Sequence, residues 1–313
     1  MSLWTYSSIL LRETVFEGYI RNVEPLRIGS GREPPLGSPT DLAVLRINYK
    51  GRSIPYIPGS SLKGVFRSSA TMLARSIGLK ACSGLSKDVC TEIEKVVKGT
   101  SEMKLGDLIE YYIRVGETKT AMEKFYENAC LICKIFGSPY YSSKVYFSDA
   151  YPIGADGEIL PFSLNTRTGI AIDRRTGAVH GGALYTVEFV EPDARFKFML
   201  HAKNLPNYAL GLLSTIIIMI NHGEVKIGGF KTRGFGAVKI ENLIFKSRDH
   251  PRTEGLKLTS LDREKDREVD LSGVARLEDN WLIAEEENAW EVLRKLEGIW
   301  YEFGKSSSCK KST

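Results

Sequence analysis

Residues 29–40 read GSGREPPLGSPT, with three glycines and three prolines in twelve positions. Proline removes a backbone donor and glycine costs backbone entropy, so neither a helix nor a central strand can run through this stretch. It separates an opening strand region, residues 8–28, from a short strand over 42–48. The chain then enters IPYIPGSSLKGVFRSSATMLARSIG, where Ser60 or Ser61 predicts a helix N-cap. Leu62, Val65, Phe66, Ser69, Leu73 and Ile77 follow at helical spacing and predict a core stripe. Lys63 and Arg67 are four apart and share a face of that helix.

The remainder of the chain alternates between strand and helix signals. Residues 80–127 are polar and charged, and predict an insertion, helical in parts, beside the core. A short helix bearing Cys130 and Cys133 leads to a strand over 144–150. Residues 161–182 are rich in glycine and arginine without periodicity, and predict a protruding loop or ribbon. Tyr185, Val187 and Phe189 alternate, as do Phe196, Phe198 and Leu200, on either side of the turn Glu191-Pro192-Asp193-Ala194, which predicts a β-hairpin. An apolar helix over 208–221 is closed by Gly223, and a glycine-rich turn and strand occupy 226–245. The order β-α-(insertion)-β-β-α-β predicts an α+β fold, with a ferredoxin-like or RNA-recognition-like sheet and helices on one face. The expected core covers residues 1–245, with the insertion at about 79–133 and a thumb-like ribbon at about 161–182. Residues 246–313 form a charged extension, expected to end in an amphipathic helix over 281–303.

Composition bounds the function. The chain has 313 residues, 42% apolar and 26% charged, which excludes a wholly disordered or fibrous protein. No apolar run reaches the ~20 residues that span a bilayer. The longest, residues 209–220, is interrupted by Gly211, Ser214 and Thr215. The first residues carry no basic start followed by an apolar stretch, so no secretory signal is read and a cytoplasmic location is expected. The net charge of +5 is unevenly placed. Eight basic residues face three acids between Ile20 and Arg67, and four face none between Lys226 and Lys239. Residues 161–182 add three against one, leaving the rest of the chain acidic. Three basic segments on an acidic remainder suggest a polyanion-binding face, although loops are also often basic by chance.

Four ordered stretches carry a resemblance. PYIPGSSLKGVFRS (55–68) resembles the signature of the repeat-associated mysterious proteins, the RAMP superfamily of CRISPR systems. CKIFGSPYYSSKVYFSDAYP (133–152) is similar to that family's FGS…SDA segment. RTGIAIDRRTGAVHGGALYTVEFV (167–190) resembles its thumb and following strand, and IGGFKTRGFGAVKI (227–240) its glycine-rich loop. The likeness is greatest to the backbone subunits of type III effector complexes and covers roughly residues 21–245. It implies guide-RNA binding, with Ser60, Ser61, Lys63 and Arg67 on the RNA backbone. A helix N-terminus with adjacent cations suits phosphate on physical grounds as well. Gly228 and Gly229 would allow close approach of RNA, Lys231 and Arg233 would supply charge, and Arg174 and Arg175 would sit in the thumb. The bland alternatives are a solvated helix face, a tight turn and a charged surface loop. Identical subunits would stack along one guide, beside other type III subunits and a target RNA.

The family's RNA-cleaving subunits place an aspartate upstream of the PGSSLKG helix, a position that Asp41 matches. The resemblance implies Mg²⁺- or other divalent-ion-dependent cutting of target RNA there. A turn-capping role for Asp41 is the competing reading, which would leave a binding-only subunit. Where relatives often carry histidine, this chain has Arg27, which favours backbone binding over histidine-assisted cleavage. A guide-processing endonuclease of the same superfamily usually uses a histidine or other base, and His180, His201, His222 and His250 stand in no matching motif. Cys82, Cys90, Cys130 and Cys133 could close a tetrahedral zinc site, and related backbone proteins carry zinc in such an insertion. Disulfides or free core thiols are the alternatives, with Cys309 outside the set.

Overall fold

The computed structural model describes residues 3–29, 31, 40–98 and 101–309, so most of the glycine-proline stretch lies outside the described residues. Alternation in RETVFEGYIRN makes β1 (Arg12–Asn22), whose even-numbered positions are buried. It is shorter than the strand region expected over 8–28. Asn204 accepts the Leu11 and Arg12 amides at one end, and Asn22 turns the chain by donating to the Glu24 and Glu191 carbonyls at the other. In place of one strand over 42–48, β2 (Arg46–Tyr49) and β3 (Arg52–Pro55) pair across a turn with positive φ at Lys50 and Gly51.

The expected helix is α1 (Gly59–Ser76), burying Leu62, Val65, Phe66, Ser69, Ala70 and Ala74. The insertion follows as α2 (Cys90–Ile93), β4 (Lys95–Lys98), β5 (Ser101–Lys104), α3 (Leu105–Arg114), α4 (Thr118–Asn128) and α5 (Leu131–Phe136). Then come β6 (Val145–Phe147), β7 (Leu164–Ile172), β8 (Val179–Val190) and β9 (Arg195–Lys203). The apolar helix is α6 (Asn207–His222), ended by Gly223 at φ +80°. The chain closes with β10 (Val238–Asp249), β11 (Lys257–Leu258), β12 (Val269–Asp270), β13 (Arg276–Glu278), β14 (Trp281–Glu285) and α7 (Glu286–Cys309).

The fold is mixed α+β. Its main sheet runs β13-β14-β10-β1-β9-β6, with every neighbouring pair antiparallel. Phe16, Ile20, Phe196, Leu200 and Phe245 are buried on the face where α1, α6 and α7 pack. Glycine at 211 lets α6 and α7 cross closely, since a Cβ there would sit 2.2 Å from the Leu296 carbonyl oxygen.

Two expectations need correction. The alternating residues of 185–189 and 196–200 do not pair as a hairpin. β8 pairs with β7 as a long separate ribbon, while β9 lies between β1 and β6 in the main sheet. Alternation marks a strand's two faces and is silent on its partner. The terminal helix also begins later than expected, in an extension whose first residues continue β10 and whose β14 adds to that strand's edge. Residues 281–285 are strand, with the helix starting only at Glu286. The fully buried Arg12 ties this region in: its guanidinium donates to Asp249 at 2.5 and 2.8 Å, to Asn207 at 2.6 Å and to the Thr259 carbonyl at 2.8 Å. Asp266 accepts the Asn207 and Tyr208 amides and so caps α6.

Candidate functional site

The start of α1 explains why two of the sequence motifs belong together. Ile57 pairs with Ala150, which carries Asp149 over the helix end. The Asp149 carboxylate accepts the Gly59 amide at 2.7 Å, and the Ser61 and Leu62 amides both donate to the Pro58 carbonyl. Neither Ser60 nor Ser61 is therefore the N-cap. Pro58 holds that position and the cap comes from a residue distant in sequence. Position 59 must be glycine, since a Cβ would lie 2.3 Å from the Phe147 carbonyl oxygen. The helix end offers phosphate fewer free amides than the sequence promised. Ser60 is exposed and Ser61 half-buried at that end.

A cleft of about 380 Å³ runs along this helix. Arg27, Ser61, Gly64, Ser68, Gly229 and Lys231 line it, so the first strand's exit, α1 and the glycine-rich loop converge on one concave surface. Gly229 donates its amide to the Arg27 carbonyl at 2.9 Å, which fixes the loop against the strand exit. Gly228 has φ +86°, and a Cβ there would meet the Arg27 carbonyl oxygen at 2.4 Å. Its glycine is thus required by the chain's own packing. Burial lowers the Arg27 pKa below the ordinary guanidinium value.

Lys63 and Arg67 do not line the cleft; helical spacing puts them on the side of α1 turned away from Ser61, Gly64 and Ser68, and their environments differ. Lys63 is half-buried and forms no ion pair among the described residues, while burial and the nearby Arg67 lower its pKa. Arg67 turns inward. Its guanidinium donates to the Gly137 carbonyl at 3.0 Å and the Cys133 sulfur at 3.7 Å. It also covers Gly84, where a Cβ would lie 2.2 Å from the guanidinium carbon. The structure thus places Arg67 against the cysteine insertion, not in the cleft.

Asp41 is exposed at the root of the ribbon. Its Oδ2 accepts the Thr186 amide at 2.7 Å, beside a Leu42–Val187 bridge. Among the described residues it belongs to no group of three or more metal-ligating side chains. Arg174 and Arg175 are exposed at the ribbon's tip, where Asp173 accepts the Arg175 and Thr176 amides. Neither arginine lines the cleft. Arg233 diverges from Lys231: its Nη1 donates to the Tyr185 hydroxyl at 2.7 Å on the ribbon side.

The four cysteines are brought together. All are buried and free, and their sulfurs lie within 4.8 Å of one another. Cys82 lies 3.7 Å from Cys130, close to the ~3.8 Å edge of a tetrahedron with Zn–S bonds of ~2.3 Å, and 3.1 Å from Cys133, inside that edge. Cys130 sits at the N-cap of α5 and accepts the Cys133 amide, while Cys90 accepts the Cys130 amide. Hydrogen bonding within the set lowers the Cys130 pKa and raises those of Cys90 and Cys133, so the four thiols titrate as one coupled group. The donor set fits zinc.

A group missed in the sequence is aromatic. Tyr185, Phe230 and Phe235 gather at the ribbon root with Arg167 and Arg233. The alternation of Phe230 and Phe235 with Lys231 and Arg233 in GGFKTRGFG was the available signal.

With this geometry in place, the comparisons with known proteins define the class. The family model described as RAMP superfamily matches residues 19–239, and the chain belongs to that superfamily. Membership points to a CRISPR-associated, RNA-binding subunit of a kind that generally joins CRISPR RNA and other Cas proteins. A search of curated proteins finds no match. Among the described residues, no helix is long and apolar enough to cross a membrane.

Proposed function

We propose that the chain is a backbone subunit of a type III effector complex, with the guide-RNA backbone lying in the cleft between α1 and the glycine-rich loop. The observation that carries this reading is the set of cations there. Arg27 and Lys231 line one concave surface, and neither forms an ion pair among the described residues. A polyanion would supply the missing counter-charge. The strand order β10-β1-β9-β6, threaded as β1-α1-β6-β9-α6-β10, supports a ferredoxin-like core. Copies of the chain would repeat along one guide beside other subunits of the complex. Cys82, Cys90, Cys130 and Cys133 would hold a structural zinc that ties the two ends of the insertion together.

Asp41 is the proposed catalytic carboxylate for cutting a bound target RNA. A divalent ion held by one carboxylate and RNA phosphates needs no larger protein cage, because Mg²⁺ keeps several of its waters. Asp41 itself would hold that ion or orient the attacking 2′-hydroxyl. A second reading, binding without cleavage, is favoured by the Asp41–Thr186 hydrogen bond, a cap that leaves the carboxylate a structural task. Asp41→Asn separates the two. Its amide oxygen can still accept the Thr186 amide, but its charge is gone. In the assembled complex, loss of target cleavage with guide binding retained supports catalysis, and full cleavage by the variant assigns Asp41 to the cap alone.

A further inference from the structure

A small pocket of about 200 Å³ lies between the first residues of the chain and β6, the edge strand of the main sheet. Ser7, Ser8, Lys144, Tyr146 and Lys203 contribute to its wall, and no carboxylate does. It sits at the opposite end of β1 from the cleft. Lys203 is level with Glu13 at the start of that strand, whereas Arg27 follows its far end.

Lys144 makes this more than a surface hollow. It is 3% exposed and forms no ion pair among the described residues, although a buried charge is ordinarily paired. Its Nζ donates to the Tyr6 carbonyl at 2.9 Å and to the Ser7 hydroxyl at 3.5 Å, and the Tyr141 ring centre is 5.7 Å away. None of these neighbours carries charge, and an ammonium has a third N–H to place. Burial lowers its pKa only to about 8, so it keeps its proton near neutral pH.

Lys203 is its cross-strand neighbour, the Lys203 amide donating to the Lys144 carbonyl at 2.8 Å. The Lys203 ammonium stands 5.6 Å from the Tyr146 ring centre and also has no acidic partner among the described residues. Glu13, the acid level with it, is bonded to Arg248. The segment bordering the pocket supplies donors of another kind. Ser7, Ser8, Ile9 and Leu10 are exposed, and among the described residues none of their amides has an acceptor. Two unpaired cations, two serine hydroxyls and a run of free amides around one small hollow suit a compact anion.

We propose that this pocket binds a phosphate ion or phosphate monoester, with the Lys144 and Lys203 ammonium groups on its oxygens and Ser7 and Ser8 donating beside them. A monoester carries about −1.5 to −2 near neutral pH, which two lysines balance. A space this small takes a terminal group and not a passing diester strand. The site does not depend on RNA occupying the cleft. Free phosphate and the phosphorylated end of a nucleic acid offer the same chemistry, and the probes separate them.

The test is isothermal titration calorimetry with the full chain in phosphate-free buffer near neutral pH. The probes are inorganic phosphate, a 5′-phosphorylated RNA dinucleotide and its 5′-hydroxyl counterpart. Wild type should bind inorganic phosphate, and Lys144→Met and Lys203→Ala should each weaken that binding roughly 10- to 150-fold, the loss of one charge-assisted hydrogen bond. Lys203 is only half-buried, so its variant tests the pocket even if Lys144→Met folds poorly, and Lys203→Arg should restore most of the affinity. Equal affinity for phosphate and the phosphorylated dinucleotide supports the pocket with free phosphate as its ligand. Tighter binding of that dinucleotide, lost in the 5′-hydroxyl form and in both lysine variants, supports it with a strand end. No binding of either phosphate probe, or wild-type affinity in Lys203→Ala, would overturn the proposal.

Discussion

Arg67→Ala removes a side chain that helical spacing pairs with Lys63 as a phosphate contact but that the fold turns inward. Its guanidinium bonds the Gly137 carbonyl and the Cys133 sulfur and lies over Gly84. The substitution deletes a hydrogen bond from a charged donor, worth about 1.5–3 kcal/mol. At roughly 2 °C per kcal/mol for a chain of this size, melting should fall by about 3–6 °C. Because Arg67 contacts a sulfur of the proposed zinc set, metal retention against a chelator should also drop, on the order of 10–100-fold as for other groups that support metal ligands. RNA affinity should fall little, and its salt slope should not change. The assay is differential scanning fluorimetry beside elemental analysis, with wild type expected to hold about one zinc per chain. An unchanged melting point and zinc content, together with a reduced salt slope, would show that Arg67 is a phosphate ligand and that its inward placement is wrong.

Two further outcomes follow from individual residues. Gly64 sits inside α1 with open space around the point where a Cβ would stand, and it lines the cleft. Gly64→Gln should therefore stabilise the helix by about 0.5–1 kcal/mol while weakening RNA binding, and a variant that binds RNA as tightly as wild type would contradict the cleft. Lys144 is buried, donates to the Tyr6 carbonyl, and has its pKa pushed down to about 8 by burial. The unfolded chain, with a lysine pKa of ~10.4, then binds more protons between these values, so this lysine makes stability rise with pH across that window. The stability of wild type relative to Lys144→Met, measured by urea melts at about pH 7.5 and about pH 10, should increase with pH, and a flat or falling difference would refute the assignment.

The α1 stripe was legible because apolar residues at a period of ~3.6 admit one reading. So was the Gly223 stop, which rests on local backbone geometry. The cysteine set was legible by residue type, and the fold then supplied proximity. What stayed hidden depends on contacts distant in sequence. The cap on Gly59 comes from Asp149, ninety residues away, so nearby serines looked like the natural choice. The pairing of β8 with β7 is likewise invisible in an alternation that suits any partner. Arg67 shares a sequence pattern with Lys63, and only the packing of the insertion separates their tasks.

The central claim, an RNA backbone held in the α1 cleft, is tested most directly by the salt dependence of RNA binding. Arg27 and Lys231 line the cleft, and each phosphate neutralised on single-stranded RNA contributes a slope of about −0.7. Wild type should therefore lose on the order of 7-fold in affinity between about 50 and 200 mM salt from these contacts alone. The Lys231→Ala variant should flatten the slope by about 0.7, with its melting point unchanged and its affinity lowered for every RNA sequence tried. A variant with the wild-type slope would place the RNA elsewhere on the molecule.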